Sequence, residues 1–128
     1  MAKILVIEDM PSVLMSLQMN LAGSGHDVTC ATDGITGLRL IIETVFDLVV
    51  TDIWMPGLNG IDVISRGRAR CPGTRFLAIT GGDPEGGAPA TTSGVENFGA
   101  DGVLYKPFVR AALLALVAAL LSEQPQEG

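Results

Sequence analysis

Positive charge is scarce in this sequence of 128 residues, where eight lysines and arginines face fourteen aspartates and glutamates and leave a formal net charge of -6. A surface so acidic repels a phosphate backbone, and nucleic acid is not expected as a direct partner. Cysteine is nearly absent too. Cys30 and Cys71 stand far apart, in no C-x-x-C or Cys/His spacing. Neither a disulfide framework nor a zinc site is expected, and a reducing cytoplasm fits. Long apolar runs are missing as well. The longest, AALLALVAALL from Ala111 to Leu121, falls short of the ~18 residues of a membrane span, and the run Ile4 to Ile7 is cut off by Glu8 and Asp9. No signal peptide and no membrane anchor are expected. The one histidine, His26, lies beside Gly25 in a turn with no partner in view, which is no basis for a phosphohistidine.

What the sequence has is a core, with 48% hydrophobic residues and a mean hydropathy of +0.42. Length and composition fit one domain over residues 1–122, followed by a polar tail, EQPQEG, over 123–128. Four apolar runs have strand length: KILVI (3–7), LVV (48–50), FLAI (76–79) and GVLY (102–105). They are continuous rather than alternating, as in a parallel sheet covered on both faces. DVTCA (27–31) alternates and is expected at an edge. Helical spacing relates Leu14, Leu17 and Leu21, then Ile35, Leu38 and Ile42, then Ile61 and Ile64, and finally Leu113, Leu116, Val117 and Leu120. Pro11 suits a first helical position, and Gly23 or Gly25 a helix stop. GGDPEGGAPATTSG (81–94) crowds the place of a fourth helix, which is expected only near residues 91–98. The pattern is β-α five times over, an α/β fold with a doubly wound parallel sheet.

In such sheets ligands sit beyond the carboxyl ends of the strands. Those ends carry Glu8 and Asp9, Asp52, Thr80 and Lys106. Singly, each has a plain explanation: Asp9 as an acid near the start of the next helix, Asp52 as a turn residue, Thr80 as a β-branched strand end, Lys106 as a solvated charge. One sheet edge gathers them all, however, and together they have a chemistry. Clustered carboxylates call for a hard cation such as Mg²⁺, and a lysine and a hydroxyl can donate to phosphate oxygens. Asp52 is then placed as a nucleophile able to form an aspartyl phosphate.

The motifs ILVIEDMP, VVTDIWMPGLNG, FLAITGG and GADGVLYKPF, in this order and spacing, make the chain resemble the CheY-like receiver domain of two-component response regulators over nearly its whole length. The resemblance implies a flavodoxin-like (β/α)5 fold with strand order 2-1-3-4-5. It also implies a phosphorylatable switch rather than an enzyme acting on other substrates, with Asp52 as phosphoacceptor and Mg²⁺ held by Glu8, Asp9, Asp52 and the Trp54 carbonyl. The phosphoryl group would be met by the Trp54 and Gly81 amides, the Thr80 hydroxyl and Lys106, which precedes a typically cis proline, Pro107. A histidine kinase or histidine phosphotransfer protein would be the donor. Output would pass through an unidentified protein partner or an effector domain, from a monomer or a dimer formed through the face of the fourth and fifth helices.

Some positions depart from the family pattern. Val103 stands where an aromatic switch residue is usual, and Tyr105 comes directly before Lys106. Strand alternation puts Val103 and Tyr105 on one face, so Thr80, Val103 and Tyr105 are the candidate switch residues. Because Val103 is short, the switch is expected to act by ordering the glycine-rich loop from Gly81 to Gly94. Trp54 is large for its place. An aspartate-nucleophile phosphatase of the haloacid dehalogenase type is the alternative, but it needs a second aspartate as general acid where this chain has Trp54. A flavodoxin-like cofactor binder is weaker still, since EDMPS offers two carboxylates where phosphate would need donors.

Overall fold

The computed structural model describes residues 2–81 and 98–122. Its strands are β1 (Lys3–Ile7), β2 (Asp27–Ala31), β3 (Leu48–Asp52), β4 (Arg75–Thr80) and β5 (Gly102–Tyr105). All pair in parallel, in the order β2-β1-β3-β4-β5. The flavodoxin-like order implied by the family resemblance is the one observed. Four helices are present among the described residues: α1 (Pro11–Gly23), α2 (Gly34–Glu43), α3 (Gly60–Arg70) and α4 (Arg110–Ser122). The expected helix between β4 and β5, most of the loop from Gly81 to Gly94 and the expected tail fall in residues 82–97 and 123–128, outside the described residues.

Continuous apolar strands make sense because both faces of the sheet are covered. On one face Ile4, Val6, Leu48, Val50, Leu77 and Ile79 pack with α1 and α4 through Leu17, Leu21, Leu113, Val117 and Leu120. On the other, Leu5, Ile7, Val49, Phe76 and Ala78 pack with α2 and α3 through Ile41, Val63 and Ile64. The helix starts follow local rules. Pro11 opens α1, Asp33 caps α2 by accepting from Thr36 N at 2.7 Å, and Asn59 caps α3 by accepting from Asp62 N at 3.0 Å. After α1 the chain turns through Gly25 at φ +92°.

In α2 the apolar spacing misleads about which face is buried. Ile35 and Ile42 are 68% and 46% exposed, while Gly34, Gly37 and Ile41 face inward. Glycine is required at Gly34, where a Cβ would collide with the Leu58 carbonyl, and a Cβ at Gly37 would displace the Ile7 side chain. His26 also differs from expectation, for its Nδ1 accepts from Ala2 N at 3.2 Å. Cys30 and Cys71 are free thiols.

The amino ends of β4 and β5 are tied together by Asp101. Its Oδ2 accepts from Phe76 N at 2.8 Å, and its Oδ1 lies 3.0 Å from Arg68 Nη2 and 3.6 Å from Arg75 Nη1. Arg68 also donates from Nε to the Gly99 carbonyl at 3.0 Å and stacks 5.6 Å from the Phe76 ring centre. Asp101→Ala strips a charged acceptor from a buried amide and two guanidinium groups. It is expected to lower the unfolding free energy by about 2 kcal/mol, measured by urea denaturation. A loss as small as that of an exposed surface substitution would deny this clamp its role.

Candidate functional site

Parallel alignment brings the carboxyl ends of the strands to one edge. Ile7 lies opposite Thr51, Asp52 opposite Ile79, and Thr80 opposite Tyr105. The residues following β1 and β5 and those ending β3 and β4 therefore converge. Glu8 and Asp52 are buried, Asp9 is partly exposed, and one carboxylate oxygen of each lies within 4.8 Å of the others. Lys106 reaches over them, with Nζ 3.3 Å from Glu8 Oε1 and 3.6 Å from Asp52 Oδ2. Backbone contacts fix these positions. Glu8 donates its N–H to the Ala31 carbonyl at 3.0 Å and accepts from Met10 N at Oε2 at 3.1 Å. Asp52 Oδ1 accepts from Ile53 N at 2.9 Å, and Lys106 N donates to the Thr80 carbonyl at 2.8 Å. The Lys106–Pro107 peptide is cis.

Burial is the main influence on both inner carboxyls and raises their pKa above the ordinary range. For Glu8 the Met10 amide and Lys106 work against it and the Asp52 charge adds to it. For Asp52 the Lys106 charge and the Ile53 amide oppose burial, and Asp9 adds to it. One lysine does not neutralise the cluster. Among the described residues Glu8 Oε1 has the Lys106 ammonium 3.3 Å away as its ion-pair partner and no well-formed hydrogen bond. A set of hard oxygen donors with an incompletely satisfied buried member suits a hard divalent cation.

The other candidates lie close by. Thr80 is buried, and Gly81 lines a cleft of about 500 Å³ with Ser12, Ser16, Lys106 and Phe108. Trp54 is partly buried with Leu58, Phe98 and Val103, and its Nε1 has no hydrogen-bond partner among the described residues. Val103, opposite Ala78, packs on the α2–α3 face, and Tyr105, two residues on, is 38% exposed. Two neighbours of Asp52 escaped the sequence reading. Thr51, fully buried, donates its hydroxyl to the Asp52 carbonyl at 3.0 Å, and Gly60 abuts the same oxygen. A lone hydroxyl within VVTD and the glycine of the following NG were the only signals.

The family of response regulator receiver domains matches residues 4–118. The chain belongs to this family. Receiver domains are phosphorylatable switches of two-component systems rather than classical enzymes, and they bind Mg²⁺ in an acidic pocket. The transcriptional regulatory protein PrrA of Mycobacterium leprae is 39% identical over 119 residues, covering 93% of this chain and 49% of that protein. The chain thus spans about half the length of the curated relatives it matches. Among solved structures, the response regulator TrrA of Thermotoga maritima, in complex with Mg²⁺-BeF, has a TM-score of 0.81 at 27% identity, covering 94% of this chain and 99% of that one. The receiver domain of a sensor histidine kinase from Pseudomonas aeruginosa, with magnesium coordinated in its active-site cleft, also reaches 0.81 at 27% identity, covering 95% and 98%. No helix among the described residues is long and apolar enough to cross a membrane.

The raised pKa of Asp52 makes a statement about stability. A carboxyl raised on folding favours the folded state while protonated; that contribution is complete below the ordinary carboxylate range and is lost as pH rises through the folded value. In excess chelator, Asp52→Asn is therefore expected to melt at a higher temperature than wild type near pH 7. The gap should shrink as the pH is lowered toward about 4. A variant melting lower than wild type at neutral pH would mean that Lys106 more than compensates for burial.

Proposed function

We propose that Asp52 is the phosphoacceptor of this receiver and takes its phosphoryl group from a histidine kinase or histidine phosphotransfer protein. The observation that carries this reading is a buried carboxylate at the sheet edge, 3.6 Å from Lys106 Nζ and clustered with Glu8 and Asp9. An Asp52 oxygen attacks phosphorus as the bond to the donor imidazole nitrogen breaks. The imidazole leaves with the bonding pair and the product is an aspartyl phosphate. Glu8, Asp9, Asp52 and the Trp54 carbonyl would hold Mg²⁺, which supplies charge neutralisation for the donor phosphate and for the transferring group. Lys106 offsets charge on the transferred oxygens. The Thr80 hydroxyl and the amides of Trp54 and Gly81 donate to them. The chain acts only on its own Asp52, taking up the phosphoryl group and losing it by hydrolysis.

Output passes to a protein partner or an effector domain, with Thr80, Val103 and Tyr105 as the switch residues on one face of β4 and β5. The haloacid-dehalogenase alternative gains nothing, since Trp54 cannot serve as its proton donor.

Incubation with acetyl phosphate and Mg²⁺, followed by intact-mass measurement, is expected to add one phosphoryl group to wild type and none to Asp52→Asn or to wild type in excess chelator. Label persisting in either control refutes the assignment. Lys106→Met keeps much of the aliphatic stem and is expected to stay folded, yet to lose the change that beryllofluoride produces in wild-type amide exchange. An undiminished response in the variant would remove Lys106 from the mechanism.

A further inference from the structure

Charge alone does not aim the Asp52 carboxylate. Its Oδ1 accepts from Ile53 N at 2.9 Å, and that N–H belongs to the peptide unit joining residues 52 and 53, whose other end is the Asp52 carbonyl oxygen. The unit is planar, so whatever fixes its oxygen fixes the direction of its N–H. Two residues do so. The buried Thr51 hydroxyl donates to the oxygen at 3.0 Å, and Gly60 lies so near that a Cβ there would collide with it. The Gly60 N–H donates in turn to the Ile53 carbonyl at 3.0 Å, holding the start of α3 against the same stretch. The Ile53 N–H is also shared with the Ile79 carbonyl, at 3.0 Å. A small tilt of the unit therefore trades the carboxylate for the sheet. With Oδ1 tied down, Oδ2 is the oxygen facing Lys106 at 3.6 Å.

We propose that Thr51 is a positioning residue for phosphoryl transfer: its hydroxyl sets the tilt of the 52–53 peptide and, through the Ile53 amide, the direction in which Asp52 presents Oδ2. This rests on Asp52 being the acceptor. Apolar residues fill the strand before it, and a valine would occupy the same space at position 51 while burying more apolar surface. The hydroxyl is therefore not there for packing.

The test uses the full chain with Mg²⁺ and a titration of acetyl phosphate on wild type, Thr51→Val and Thr51→Ser. Thr51→Val keeps the branched shape and loses the donor. It is expected to lower the maximal phosphorylation rate about three- to tenfold, with the half-saturating acetyl phosphate concentration unchanged. Thr51→Ser keeps the donor and is expected within about twofold of wild type. Both variants are expected to melt below wild type, serine because it leaves a methyl-sized void at a fully buried site and valine because it leaves the Asp52 carbonyl without its hydroxyl donor, so lost stability alone would slow both. A serine variant as slow as the valine variant, or slower, overturns the proposal, as does Thr51→Val at the wild-type rate. A Thr51→Val chain that cannot fold assigns the hydroxyl a structural role and overturns it too. If wild type itself takes no phosphoryl group, the reading of Asp52 falls and this inference with it; phosphorylated wild type with an unimpaired valine variant sinks this inference alone.

Discussion

The burial of Glu8 and Asp52 beside a third carboxylate, Asp9, is the constraint around which this molecule is organised. Two of these carboxylates are buried, and the Asp52 charge adds to the cost of ionising Glu8 as the Asp9 charge adds to that of Asp52. No local sequence would choose such a cluster for its own stability. It exists because a parallel sheet delivers the residues after β1 beside the last residue of β3, and because one lysine, just beyond the end of β5, reaches across to Glu8 and Asp52. The site is electrostatically incomplete, which makes it responsive to any ligand that brings positive charge or takes up negative charge.

Most of that arrangement is legible in the sequence because it depends on strand ends. A run such as KILVI followed by Glu8 and Asp9 announces both a buried strand and the point where it leaves the core. The same holds for VVTD and for GVLYK. Strand periodicity, crossover handedness and the edge rule then bring distant residues together without any knowledge of side-chain contacts. The cis peptide before Pro107 followed from the family resemblance and not from the residues.

What stayed hidden depends on close approach. Apolar spacing along α2 favours Ile35 and Ile42, yet the helix turns Gly34 and Gly37 inward, because the absence of a side chain is what lets it lie against Ile7 and Leu58. A hydrophobicity pattern scores glycine as nothing, so a contact made by having no side chain leaves no trace in it. Asp101 escaped for the opposite reason. A charged residue in a turn reads as solvated, and only the fold brings Arg68, Arg75 and the Phe76 amide to meet it. Thr51 lies just past the apolar run LVV, and nothing in the pattern signals that its hydroxyl meets the Asp52 carbonyl.

The Asp101 clamp lies at the amino ends of β4 and β5, a strand's length from the carboxylates. Opposite charges meet at that end, whereas like charges crowd at the other. The sheet is thus polarised along its strands into an anchored end and a restless one. Substitutions that tune the chemistry at the rim can accumulate without loosening the anchor, and the anchor can be reinforced without quieting the rim. Such a molecule keeps its opposite-charge anchor at the end of the sheet that does no chemistry.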